Sequence, residues 1–139
     1  MWWWHSLAAA GERLVSLIMP FRVLIVDDVE SFRRAARAVV HAADGFEVVG
    51  EAASGEESLE AARILMPELI LMDVNLPGIS GIEAARRIHQ ALPTVVVLLL
   101  STRDALEFEG AAAESGAAAY VPKSLFSPER LVEEWNEAR

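Results

Sequence analysis

The chain has 139 residues, 53% of them hydrophobic and none of them cysteine, with a formal net charge of −9. That length holds one domain with a core of its own, and the apolar content excludes a disordered, low-complexity chain. The lack of cysteine excludes disulfide frameworks and thiolate metal sites and suits a reducing cytoplasm, while the acidic balance argues against a nucleic-acid surface, which needs clustered Lys and Arg.

Residues 1–19, MWWWHSLAAAGERLVSLIM, read as a leader or extension ahead of a domain spanning 20–139. The leader lacks the basic start and continuous apolar run of a secretory signal. An aromatic anchor for a membrane interface or a partner is its functional alternative. Met19-Pro20 stands directly before the first strand and fits a start. No run approaches the ~18 apolar residues of a membrane helix. The longest, 95–100, has the length of a strand.

Short apolar runs then alternate with amphipathic stretches. RVLIV at 22–26 predicts a strand, and Phe32, Ala35, Ala36, Val39 and Val40 recur at helical spacing. Arg33, Arg34, Arg37, Arg86 and Arg87 are dispersed over helical patterns and read as solvated faces. FEVVGE at 46–51 predicts a second strand. Ser54 with Glu57 has the pattern of a capping box, and the helix it opens stops near Met66-Pro67, because proline disfavours helical geometry in the residue before it.

A third strand covers 69–72. Ser80 and Glu83 open another helix that ends before Pro93, and the apolar run 95–100 is a strand buried on both faces. Asp104 and Glu107 cap the next helix, 117–121 is a fifth strand, and Ser127-Pro128 opens the last helix. Five strands alternating with five helices predict a doubly wound α/β fold, a five-stranded parallel sheet with helices on both sides. Ligands of such sheets sit beyond the carboxyl ends of the strands.

Those ends carry the polar residues. Strand one runs into Asp27-Asp28, strand three into Asp73, strand four into Ser101-Thr102 and strand five into Lys123. An aspartate after a strand is, by itself, most often a turn former. The joint placement is what speaks for chemistry. Three close carboxylates repel unless a hard cation sits among them, and Mg²⁺ takes oxygen ligands while keeping several waters. A lysine and a hydroxyl can bind phosphoryl oxygens, and an aspartate facing that group can be the nucleophile. Asp73 thus leaves the core at a strand end, balanced by Mg²⁺ and Lys123. His5, His41 and His89 are too scattered to form a metal site, and no Walker loop, dinucleotide glycine pattern or nucleophile-elbow serine is present.

The segments VLIVDD (23–28), LMDVNLPGISG (71–81), LLLST (98–102) and AAAYVPKS (117–124), in this order and spacing, resemble the response-regulator receiver domain. The resemblance implies a flavodoxin-like fold of strand order 2-1-3-4-5. It implies Asp73 as phosphoacceptor, a sensor histidine kinase or phosphotransfer protein as donor, and Mg²⁺ held by Asp27, Asp28, Asp73 and the Asn75 backbone carbonyl. Lys123 and Ser101 would bind the phosphoryl group, and Ser101 with Tyr120 would form the switch. Asn75 and Arg103 would tune dephosphorylation. The fourth helix, fifth strand and fifth helix would form the output face, used by a protein partner or a homodimer. Two departures stand out: Pro122 precedes the lysine and Ser124 follows it, where the family often has Lys-Pro, and Ser101 replaces the commoner Thr.

VDDVESFRRAARAVV and FEVVGEAASGEESLEAA look most like receivers that precede a LuxR-type helix-turn-helix. The chain ends just after the fifth helix without a DNA-binding domain, so it reads as a single-domain regulator or as the receiver part of a transcriptional regulator. It would be no enzyme beyond its own phosphorylation and dephosphorylation. Two other readings are an aspartate-nucleophile phosphatase, which would carry a second aspartate where Asn75 stands, and a receiver-like interaction module that works without phosphorylation.

Overall fold

The computed structural model describes residues 10–11, 14–15, 18–102 and 109–139. Five parallel strands, β1 (Phe21–Val26), β2 (Phe46–Ala52), β3 (Leu69–Asp73), β4 (Val96–Ser101) and β5 (Ala119–Pro122), lie in the order β2-β1-β3-β4-β5. Between and after them run α1 (Glu30–Ala42), α2 (Gly55–Leu65), α3 (Gly81–Ala91), α4 (Glu109–Glu114) and α5 (Pro128–Ala138). The doubly wound parallel sheet expected from the sequence pattern and the strand order implied by the resemblance are both found.

Strand parity divides the core. Leu24, Val26, Ile70, Met72, Val97 and Leu99 face one side, with Ala62 of α2 and Ala84, Ala85 and Ile88 of α3. Val23, Ile25, Leu69, Leu71, Leu98 and Leu100 face the other, with Ala36 and Val40 of α1 and Leu131 and Trp135 of α5. Successive strand residues point to opposite faces. A strand covered on both sides is therefore apolar at every position, which explains the unbroken runs in β3 and β4.

The helix boundaries follow from local chemistry. Ser54 Oγ accepts the Glu57 N–H at 3.1 Å, and Glu57 Oε2 accepts the Ala53 N–H at 3.1 Å. Ser80 and Ser127 cap α3 and α5 in the same way, through the N–H groups of Glu83 and Arg130. The Glu83 carboxylate does not reach back to complete a box; it pairs instead with Arg86 and Arg87. At the end of α2, Met66 takes a left-handed conformation (φ 47°) ahead of Pro67. β1, β2 and β3 run a residue longer than expected, at Phe21, Ala52 and Asp73; β4 is shifted by one residue, to Val96–Ser101; and β5 runs from Ala119 to Pro122 rather than over 117–121, because the Ser115–Ala118 turn, with Gly116 at φ 86°, precedes it.

The Asp104–Glu107 cap and the three leader tryptophans lie outside the described residues. No peptide bond among the described residues is cis, so Pro122 joins β5 to the 3-10 turn Lys123–Leu125 in trans.

One glycine fixes how closely α3 approaches β3. The Gly81 N–H donates to Val74 O at 2.9 Å, and a Cβ at this position would run into the Asp73 carbonyl oxygen. Gly81→Ala must push the start of α3 off the end of β3, so it should destabilise the domain by about 2 kcal/mol, the usual scale for overpacking against rigid neighbours. Urea unfolding followed by circular dichroism measures it.

Candidate functional site

Register brings the acidic residues together. Val26 pairs with Met72 across β1 and β3, so Asp27, the next residue, lies level with Asp73, and Asp73 in turn pairs with Leu100 of β4. This is the point where the strand order reverses between β1 and β3, the place where open α/β sheets leave a crevice. Asp73 continues the series Leu69, Leu71 and so faces the α1/α5 side of the sheet. Ser101 continues Val97 and Leu99 toward the opposite side, where half-buried Tyr120 also packs.

Asp27 and Asp73 are buried, at 0% and 4% exposure, while Asp28 is exposed. Each buried aspartate takes the backbone N–H two residues on. Val29 donates to Asp27 Oδ1 at 2.8 Å and Asn75 to Asp73 Oδ1 at 3.3 Å, a local turn that fixes the carboxylate over its own strand end. Lys123 Nζ lies 2.6 Å from Asp27 Oδ2 and 3.6 Å from Asp73 Oδ1, with its side chain 13% exposed. The contact with Asp27 Oδ2 is the closer of the two ion pairs. The ammonium also stands 4.1 Å from the centroid of the Phe32 ring.

Oxygens of Asp27, Asp28 and Asp73 lie within 4.8 Å of one another, which makes the group able to hold a metal ion. An all-carboxylate donor set fits a hard divalent cation such as Mg²⁺. Burial, reinforced by the charge of Asp27, pushes the Asp73 carboxyl up from 3.8 to about 6; Lys123 and the Asn75 N–H pull it down, and Asp28 adds a little upward. Asp73 therefore differs from the sequence expectation in one respect. It stands at a strand end but has not left the core, since it is the last residue of β3 and almost wholly covered.

A second departure concerns the arginines. Arg34 is solvated as expected, but Arg33 is only 18% exposed. Its Nη1 donates to the Asp27 backbone oxygen at 2.6 Å, and its Nε pairs with Glu51 Oε1 at 3.0 Å while Arg37 takes Glu51 Oε2. Helical periodicity marks Arg33 only as polar. Its partners lie just beyond β1 and in β2, so no signal within α1 identifies it. Arg86 and Arg87 stay on their own helix with Glu83. Arg103 lies outside the described residues.

Residues 23–136 match the family described as response regulator receiver domain. The chain belongs to that family. It is 41% identical over 102 residues to the response regulator GacA of Pseudomonas viridiflava, covering 73% of this chain and 48% of that one, so it spans about half the length of that relative. It is 39% identical over 110 residues to a protein-glutamate methylesterase/protein-glutamine glutaminase of Alkalilimnicola ehrlichii, covering 76% of this chain and 27% of the relative. Among solved structures, a LuxR-family two-component response regulator from Aurantimonas sp. SI85-9A1 superposes with a TM-score of 0.78 at 35% identity, covering 86% of each chain. No described helix of this receiver is long and apolar enough to cross a membrane.

The raised Asp73 pKa makes a signed prediction. Between about pH 4 and pH 6 the folded state holds a proton that the unfolded state has lost, so stability falls as pH rises through this window, and above it the ionised carboxylate is fully disfavoured. In metal-free buffer Asp73→Asn should therefore melt at least about 2 °C above wild type near pH 7.5. The difference should disappear near pH 4, where both side chains are neutral. Calorimetry at the two pH values checks it.

Proposed function

We propose that this receiver is a phosphorylation-dependent signalling switch whose phosphoacceptor is Asp73. The observation that carries the reading is the placement of one buried carboxylate between an ammonium and two further carboxylates at a strand end. A carboxyl of pKa about 6 is largely ionised near neutral pH and more basic than an ordinary aspartate, which favours it as a nucleophile.

An Asp73 oxygen attacks the phosphorus of a phosphohistidine on a sensor kinase or phosphotransfer protein, or of acetyl phosphate. The P–N or P–O bond to the donor breaks, its electron pair leaves on imidazole or acetate, and an aspartyl phosphate remains. Lys123 offers its ammonium to the phosphoryl oxygens and the Ser101 hydroxyl binds them after transfer. Asp27, Asp28 and Asp73, with the Asn75 carbonyl, would hold Mg²⁺, which supplies charge neutralisation to the phosphoryl group. Asn75 and Arg103 tune the loss of the phosphoryl group.

Ser101 and Tyr120 carry the change to the face formed by α4, β5 and α5. That face engages an output partner or a second copy, in a cytoplasmic two-component pathway. The chain acts as a single-domain regulator or as the receiver part of a transcriptional regulator, and it has no turnover beyond its own phosphorylation and dephosphorylation.

Intact mass after incubation with Mg²⁺ and acetyl phosphate tests the reading. Wild type should gain one phosphoryl group, and Asp73→Ala should gain none. Failure of wild type to label, with the small donor and then with a phosphohistidine donor, would favour an interaction module that works without phosphate. The cation is tested separately. Mg²⁺ at about ten times its Kd should add about 1.4 kcal/mol of stability, and Asp28→Ala, at an exposed position, should lose most of that gain without loss of the fold.

A further inference from the structure

Lys123 is the sole lysine in the chain, and among the described residues three groups face its ammonium: Asp27 Oδ2, Asp73 Oδ1 and the ring of Phe32. The ring is tied to the first of these through the backbone. The Val29 N–H is fixed by the Asp27 carboxylate, the N–H groups of Phe32 and Arg33 both donate to Val29 O at 3.1 Å, and Arg33 Nη1 returns to the Asp27 carbonyl. The segment 27–33 is thus one hydrogen-bonded unit carrying both a carboxylate and an aromatic face. Asp73 lies on a different strand and is the more distant of the two carboxylates.

We propose that Phe32 is the positioning residue for Lys123, its ring face holding the ammonium at the mouth between Asp27 and Asp73. An aliphatic side chain here would strip water from the ammonium and return no attraction, whereas the negative face of an aromatic ring strips water and attracts the cation. The hold does not depend on how far either carboxylate is engaged by another cation, so the ammonium keeps its place when the charge around it changes. Phe32 also packs partly against the core under α1 and α5. A purely structural role would therefore be filled by any apolar side chain of similar volume, and the property that distinguishes the two roles is the π face. The consequence for phosphorylation rests on the function proposed above; the hold itself does not.

The single lysine makes the test direct. Acylation by an amine-specific reagent, followed by peptide mass mapping to separate the chain's amino terminus, reads the accessibility and reactivity of one side chain. Phe32→Leu should raise the labelling rate of Lys123 about two- to thirtyfold, the range expected for loss of a cation–π contact. It should slow phosphorylation by acetyl phosphate by a similar factor at saturating donor, and Phe32→Tyr should stay close to wild type. Mono-, di- and trifluorinated phenylalanine at position 32 keep the ring and its packing but progressively weaken its face. Labelling should climb along that series at constant melting temperature. A flat fluorination series, or a Tyr variant that labels like the Leu variant, overturns the proposal and leaves Phe32 as packing alone. If wild type takes up no phosphoryl group while labelling still climbs along the series, the phosphoacceptor reading fails and the hold on Lys123 stands.

Discussion

The ion pair between Lys123 and the buried carboxylates of Asp27 and Asp73 is the interaction on which the rim of this sheet depends. Two carboxylates that are 0% and 4% exposed cannot both stay ionised without a cation nearby. The ammonium at 2.6 and 3.6 Å supplies one positive charge. With Asp28 at the mouth the cluster holds three carboxylates against that single ammonium, so it keeps two negative charges in excess. In the proposed function a divalent cation would remove that excess and, with Lys123, would suit a phosphoryl group.

Strand parity turns this electrostatic arrangement into one with direction. Asp73 shares a face with the residues beneath α1 and α5, the side from which Phe32 reaches Lys123. Ser101 and Tyr120 belong to the face beneath α2 and α3. In the proposed function, a phosphoryl group on Asp73 that draws on Ser101 links the two sides of the sheet at its edge. A change in charge on one face then becomes a change in packing on the other. A parallel sheet transmits such a change well because its strands are covered on both sides and do not deform gradually.

Much of this was legible in the sequence, because the features concerned are local. Apolar runs such as 69–72 and 95–100 mark strands buried on both faces, and Ser54, Ser80 and Ser127 cap the helices they announce. The polar residues that close the strands identify the rim, since register in a parallel sheet brings strand ends to one side. What stayed hidden depends on contacts distant in sequence. Arg33 looked like any solvated helix arginine, yet its guanidinium joins Asp27 to Glu51 of β2. Phe32 fitted the core periodicity of α1, and only the folded chain sets its ring against an ammonium ninety-one positions later. The burial of Asp73 was hidden for a related reason. An aspartate ending a strand normally turns outward, and here it stays 4% exposed on the face beneath α1 and α5, with Lys123 from the end of β5 beside it.

That burial has a thermodynamic consequence. The folded state raises the Asp73 carboxyl to about 6, so near neutral pH the fold holds an ionised group that its own environment disfavours. A cation that binds the ionised carboxylate in the folded state relieves this, and by linkage the relief appears as stability of the folded domain. It can shift a conformational equilibrium only to the extent that it differs between the two conformations. A fully solvated aspartate would bind a cation or accept a phosphoryl group with little change in its surroundings, and little would reach the rest of the molecule. In the proposed function, an Asp73 kept buried and paired with one ammonium would couple the occupancy of the rim to the packing around it, the property a switch requires.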